Sequence, residues 1–294
     1  MSTAEAGMRL QRNLAARAAV LGTVFYCGGL FDMTVVKADV AEVSQAHAVL
    51  TVAEGKRLIA KAVAQMPVVR EALRNGMVII CKGTTNTYVA EEMLGESIAD
   101  GDFVIGSVTP SKGGAIVAAK RKMPEIVLVK GALKQGMSLD EALSQLKAGD
   151  VVIKGGNMLD YRNKSVGVWI GSPTGGTTGK IMPLVVARKA HLVIPIGLEK
   201  QVAGLGSEIV DAVNEPVTSV TRLPSMWLLR GQIVTEIEAL GILADVRALQ
   251  ASAGGVGGAE GASWMVWRGT EQNVRKALDI VEGIQGERPF TAKK

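Results

Sequence analysis

Cysteine, histidine and aromatic side chains are scarce in this chain of 294 residues, and each scarcity removes a class of function. Two cysteines, Cys27 and Cys81, cannot build a disulfide framework. With two histidines, His47 and His191, no zinc or other metal constellation can be assembled, and no cofactor is implied. Four Phe, four Trp and three Tyr are too few to interleave with basic residues as base-stacking platforms. No helix-turn-helix or RNA-binding signature is visible either, so nucleic acid is not an expected partner.

Long apolar runs are missing too. Arg9, Arg12 and Arg17 precede an apolar stretch from Ala18 to Phe31 that has the outline of a signal sequence. It is short and broken by glycine, which does not suit a bilayer span, and the bulk of Val24, Phe25 and Tyr26 does not suit a cleavage site. The expectation is an appended helix that packs on the body or on another subunit, in a cytoplasmic protein with no membrane partner.

What is abundant is ordinary apolar residue and glycine. Hydrophobic residues make up 48% and charged residues 21%, the balance of a globular domain. The 35 glycines favour tight strand-to-helix turns, so loops are expected to carry function. The net charge of +5 is partly local. Between residues 112 and 134, Lys112, Lys120, Arg121, Lys122, Lys130 and Lys134 face Glu125 alone. A solvated surface is the first reading of that segment, an anionic small molecule the second and nucleic acid the last.

A regular pattern begins at Val49. Thr51 and Glu54 have the spacing of a capping box, and Leu58, Ile59, Ala62, Val63 and Val69 recur at helical spacing, with a break expected at Pro67. The all-apolar runs at Val78 to Cys81, Val151 to Lys154, Val166 to Ile170 and Leu192 to Ile196 suit strands buried on both faces, and Phe103 to Val108 and Ile126 to Val129 also read as strands. Helices are expected over Tyr88 to Leu94, from Ser138 with Glu141 as a second capping box, and over Lys180 to Lys189. Short strands alternating with helices specify an α/β fold, a Rossmann-like, mainly parallel sheet with helices on both faces, over residues 49–224. Residues 1–48 are an N-terminal extension, and residues 225–294 read as a small βαββα subdomain. Its glycine-rich link, residues 253–261, is a flexible loop or a lid, and it departs from G-x-G-x-x-G at Glu260.

Three polar loops each follow an expected parallel strand, and such loops meet at one sheet edge. The first holds Lys82, Gly83, Thr84, Thr85 and Asn86; the second Gly155, Gly156 and Asn157; the third Thr174, Gly175, Gly176, Thr177 and Thr178, followed by Lys180. Glycine lets backbone N–H groups approach an anion, threonine adds hydroxyl donors, and the next helix contributes its positive end. The third loop falls one residue short of a Walker A motif, and Ile181 stands where Ser or Thr would hold magnesium. The ligand is therefore expected to be a small anion other than a nucleoside triphosphate under hydrolysis. Candidate acid–base groups are Glu199, the best placed to act as a base, with Asp160 and Lys154. The competing reading of Glu199 and Lys200 is a solvated surface pair, and that of Cys81 a small buried residue rather than a nucleophile.

Cys81-Lys-Gly-Thr-Thr-Asn-Thr-Tyr-Val-Ala-Glu resembles the first ligand loop of the superfamily that contains ribose-5-phosphate isomerase A, glucosamine-6-phosphate deaminase, CoA transferases and the sugar-sensing domains of DeoR-type repressors. Gly149-Asp-Val-Val-Ile-Lys-Gly-Gly-Asn157 is similar to that group's second strand and loop. The resemblance spans residues 50–200 and implies a Rossmann-like sheet gripping a phosphate, a phosphosugar or a CoA ester. Three departures bear on activity. The acidic isomerase stretch is replaced by Gly-Gly-Asn-Met-Leu-Asp160, Glu260-Gly261 lacks the second glycine of the CoA-transferase pattern, and no DNA-binding helix pair occupies the first 48 residues. Two classes stay open: an enzyme of isomerase or transferase type acting on a phosphorylated metabolite or acyl-CoA, and a non-catalytic metabolite-binding or sensor protein. Trp169, Trp227, Trp264 and Trp267, with the N-terminal apolar stretch, further imply a homo-oligomer, most simply a homodimer.

Overall fold

A computed structural model describes residues 43–105, 123–221 and 223–289. These belong to one compact unit, Ala41–Lys294; the other unit, Met1–Val40, lies outside them, as do Cys27, the expected N-terminal helix and most of the basic segment. The chain order is β1 (Ser44–Leu50), α1 (Val52–Gln65), α2 (Pro67–Asn75), β2 (Met77–Ile80), α3 (Thr84–Leu94), β3 (Ile126–Val129), β4 (Ala132–Leu133) and α4 (Leu139–Ser144). There follow β5 (Val151–Ile153), β6 (Met158–Asp160), β7 (Ser165–Ile170), α5 (Gly176–Ala187), β8 (His191–Pro195), a 3-10 turn (Leu198–Lys200) and α6 (Gly206–Asn214). The chain ends through β9 (Ser225–Leu229), β10 (Gln232–Val234), α7 (Glu236–Ala244), β11 (Arg247–Ala253), β12 (Ser263–Gly269) and α8 (Glu271–Glu282).

Local chemistry sets the helix boundaries. The Thr51 hydroxyl accepts from Glu54 N at 3.3 Å while the Glu54 carboxylate accepts from Thr51 N at 2.8 Å, which opens α1. Pro67 then sits at the start of α2, where its missing N–H is harmless, and the expected long helix becomes two. Ser138 and Glu141 form the second box, at α4.

The fold is mixed α/β with three sheets. The central sheet has the order β10-β8-β5-β2-β3-β4. β2, β5, β8 and β10 run parallel, with Ile80 opposite Ile153 and Val234 opposite Pro195, whereas β3 and β4 are antiparallel. Every residue of β2 and β5 is buried, which explains why their sequences carry no polar alternation.

Several expectations are corrected. Val166 to Ile170 does not join the parallel sheet: it is in β7, within the antiparallel sheet β6-β7-β9. The four-residue link from Asp160 to Ser165 allows only a hairpin, because a parallel neighbour needs a long crossover. Phe103 lies in a turn, not a strand; it is fully buried and its carbonyl accepts from Gly83 N at 3.0 Å. The order β10, α7, β11, β12, α8 matches the expected βαββα, yet its strands form no sheet of their own. β10 is an edge of the central sheet, and β11 and β12 pair with β1 in the order β1-β12-β11.

One apolar core runs from α1 and the central sheet to α7, α8 and β12, with Trp267 fully buried and its indole N–H donating to the Val274 carbonyl at 3.3 Å. Trp227 and Trp264 are partly exposed. Among the described residues no helix is long and apolar enough to cross a membrane.

Candidate functional site

Four adjacent parallel strands deliver their C-terminal ends to one edge of the central sheet. After β2 the chain turns through Lys82 and Gly83 directly into α3, whose first residues are Thr84, Thr85 and Asn86. The helix thus starts four residues earlier than the sequence implied, and these residues form its first turn instead of a loop. Thr87 is committed to that turn, its N–H and hydroxyl both donating to the Gly83 carbonyl, at 2.8 and 2.9 Å. No side chain caps α3, which leaves the N–H groups of its first turn without an intrahelical partner.

Asn86 is fully buried. Its amide nitrogen donates to the carbonyls of Cys81 at 2.6 Å and Ile153 at 3.3 Å, an arrangement that fixes the orientation of the amide. Its Oδ1 consequently has no donor, and the buried Thr85 hydroxyl is likewise unpartnered. Buried polar atoms are rarely left so, and both belong to residues on the wall of a cavity.

After β5 come Lys154, Gly155, Gly156 and Asn157. A Cβ on Gly156 would lie 2.1 Å from Val166 Cγ1, so only glycine allows this backbone to pass over β7. Asn157 is fixed by its N–H to Gly167 O at 2.8 Å and by its Oδ1, which accepts from Trp169 N at 3.2 Å. After β8, the 3-10 turn places Glu199 and Lys200. The Lys200 ammonium donates to the Gly156 carbonyl at 3.0 Å, and the Lys154 ammonium to the Gly155 carbonyl at 3.2 Å. Glu199 folds back over Gly197, with its Oε1 buried and unpartnered. After β10, Thr235 caps α7 and Glu236 is its first residue. The fully buried Glu236 carboxylate accepts from Leu198 N at 2.9 Å and rests against Gly55 of α1, where any side chain would collide with it.

The third expected loop arrives from a different sheet, since it follows β7. Gly175, at φ 78°, opens α5 without a side-chain cap, and a Cβ on Gly179 would fall 2.6 Å from Thr174 O. α5 too begins earlier than expected, at Gly176, so that Thr177 and Thr178 lie in its first turn.

These segments enclose a cavity of about 830 Å³, within the range of metabolite sites. Lys82, Gly83, Thr84, Thr85, Asn86, Lys154, Gly155, Gly156, Asn157, Gly175, Gly176, Thr177 and Thr178 all line it, together with Lys56, Lys200 and an apolar wall that includes Ile105 and Trp169. Four expected residues do not. Thr174 pairs with the Ser172 hydroxyl at 3.0 Å, and Lys180 forms an exposed ion pair with Asp140 at 2.7 Å. Asp160 accepts from Gly206 N at 2.9 Å and from Asn163, and thereby caps α6; these N–H groups hold its carboxyl below its usual range. Glu199 is off the wall, behind Lys56 and Lys200.

The electrostatics of the wall are one-sided, with no Asp or Glu among the described residues that line it. Lys82 has Glu125 at 3.8 Å. Burial pushes the ammonium groups of Lys56, Lys154 and Lys200 below their ordinary pKa, and Lys200 depresses both of the others further. Burial, and then the neighbouring Glu199, push the Glu236 carboxyl up to about 7, against the opposing pull of the Leu198 N–H and of Lys200. Burial raises the Cys81 thiol to about 12, which fits the reading of a buried apolar residue and leaves it no nucleophilic role.

Lys56 and Glu236 escaped the sequence reading. Lys56 sits in an amphipathic helix with no motif around it, and Glu236 is the first residue of a helix, a position where acids are common. The available signal was position: Glu236 immediately follows a short apolar strand and its cap, as the other loop residues do. No family model, curated protein or solved structure matches the chain.

Proposed function

We propose that the cavity binds a small phosphorylated metabolite at the C-terminal edge of a Rossmann-like run of four parallel strands. The observation that carries this reading is the convergence of two helix N-termini without side-chain caps, α3 and α5, on a cavity whose wall, among the described residues, holds lysines and no carboxylate. Each helix end contributes about half a positive charge and unspent N–H donors, the chemistry of a phosphate site. Asn86 Oδ1 is an acceptor that needs a donor, which favours a ligand with hydroxyl groups, such as a phosphosugar, over an acyl-CoA. The resemblance of residues 50–200 to the isomerase and CoA-transferase superfamily supports the same reading, and the antiparallel β3 and β4 are its main departure.

The enzyme class has one specific observation in its favour. The Glu236 carboxyl is raised to about 7 beside Glu199, and the two are coupled to Lys56 and Lys200, which line the cavity, an arrangement able to hold and pass a proton. The exposed parts of Trp227 and Trp264 support a homodimer.

A thermal-shift screen of sugar phosphates, inorganic phosphate, CoA esters and neutral sugars tests the binding reading. At a hundred times Kd a ligand adds about 2.7 kcal/mol of stability. Sugar phosphates are expected to stabilise and neutral sugars not to. Equal shifts from neutral and phosphorylated sugars, or none from any phosphorylated compound, would overturn it.

A further inference from the structure

We infer that the ligand carries a second anionic group, held by Lys56, Lys154 and Lys200, apart from the phosphoryl group at the two helix N-termini; this rests on the phosphate reading of the cavity. The three lysines come from α1 and from the ends of β5 and β8, so their meeting on one wall is a product of the tertiary fold. None of them forms an ion pair with a carboxylate among the described residues. Each ammonium has three donors, and among the described residues the acceptors they meet are the Gly155 and Gly156 carbonyls, one for Lys154 and one for Lys200.

Donor stoichiometry separates this group from the first. A terminal phosphoryl group offers three oxygens that each accept about two hydrogen bonds. The first-turn N–H groups of α3 and α5, with the Thr84, Thr177 and Thr178 hydroxyls on the same wall, are donors enough for that capacity. Thr178 is almost fully buried, as are Thr85 and Asn86 at the other helix end, whose Oγ1 and Oδ1 atoms have no partner. The ammonium donors are in excess of what one phosphoryl group can accept. Glu199 and Glu236 offset part of the charge of Lys56 and Lys200. Holding ammonium groups half-buried without a counter-charge is costly, and a second anion spanning them reduces that cost. The ligand class is therefore a compound with two separated anionic groups, such as a sugar bisphosphate or a phosphorylated sugar acid.

Titration calorimetry with alkanediol bisphosphates, from ethanediol to hexanediol, against the matching alkyl monophosphates tests this without knowledge of the natural ligand. At least one chain length is expected to bind about tenfold or more tighter than its monophosphate, well beyond the about twofold statistical advantage of having two equivalent ends. Lys200→Gln should bring that ratio down to the statistical value, and Lys154→Gln provides the same reading if the first variant does not fold. Thr84→Ala should weaken monophosphate and bisphosphate alike. Ratios of two or less at every length, with monophosphates still bound, would overturn the second anion and leave the phosphate site standing. Failure of every phosphate to bind would instead remove the phosphate reading and this inference with it.

Discussion

Glu236 gives the fold a pH dependence of calculable sign. Its carboxyl has an ordinary value of 4.5 and is raised to about 7 in the folded protein. The groups that face it are Glu199 and Lys200 on the 3-10 turn and Lys56 on α1, with the Leu198 N–H as its hydrogen-bond donor. A folded-state pKa above the unfolded one means that the contribution is fully present below about pH 4.5 and is lost as pH rises through about 7. The difference of about 2.5 units corresponds to about 3 kcal/mol, most of which falls between about pH 5 and pH 8. Glu236→Gln keeps an oxygen for the Leu198 N–H and removes the titration. Urea denaturation at both pH values is then expected to show the parent losing stability relative to the variant, with the variant the more stable at the higher pH. Parallel stability curves for the two proteins would refute the burial of an ionisable carboxyl against Gly55.

Gly156→Ala should destabilise the fold by about 1–3 kcal/mol, read as a lower urea midpoint, because the new methyl meets Val166 inside the core. An unchanged midpoint would show that β7 is free to move. Thr84→Ala and Thr177→Ala should each weaken phosphate binding about ten- to a hundredfold in calorimetry, through the loss of a charge-assisted hydrogen bond worth about 1.5–3 kcal/mol. Unaltered affinity in both would place the anion elsewhere on the wall. Lys56→Met keeps the volume and removes a half-buried ammonium that has no ion pair among the described residues, so it should raise thermal stability by about 0.5–2 kcal/mol without ligand. A loss of stability there would mean that Glu199 depends on this lysine more than the lysine's burial costs.

Much of the fold is legible in the sequence where one physical cause acts alone. β2, β5 and β8 are nearly uninterrupted apolar runs because both faces are covered, and the boxes at Thr51 and Ser138 fix two helix starts. Legibility fails where two causes compete. Val166 to Ile170 is as apolar as β8, so composition cannot tell which sheet it joins; the short hairpin from β6 decides. Thr84 to Asn86 and Gly176 to Thr178 have turn-forming chemistry, which competes with the helix and hides its first turn. β1 does alternate, with Gln45, His47 and Val49 on its exposed face, yet its pairing with β12 joins residues more than two hundred apart. Of the site, the glycine and threonine loops could be found from spacing, whereas Lys56 and Glu236 reach it only through the packing of α1 against α7.

The costs of this fold are concentrated on one wall. α1, α4, α7 and α8 each have a side-chain N-cap, from Thr51, Ser138, Thr235 and Thr270, Asp160 serves the first N–H of α6, and α2, away from the cavity, starts at Pro67 without a side-chain cap. A cap contributes about 1 kcal/mol, and α3 and α5, the two helices that open onto the cavity, forgo it. The same wall holds Lys56, Lys154 and Lys200 half-buried and, among the described residues, without ion pairs, and the displaced pKa of Glu236 is coupled to Lys56 and Lys200. Each of these features opposes folding, and the lysines and open helix ends are the groups an anion would satisfy. Stability without ligand and affinity for ligand are consequently set against each other there. Apolar replacements at Lys56, Lys154 and Lys200 should move the two quantities in opposite directions, whereas a packing defect such as Gly156→Ala lowers stability with no compensating gain in either.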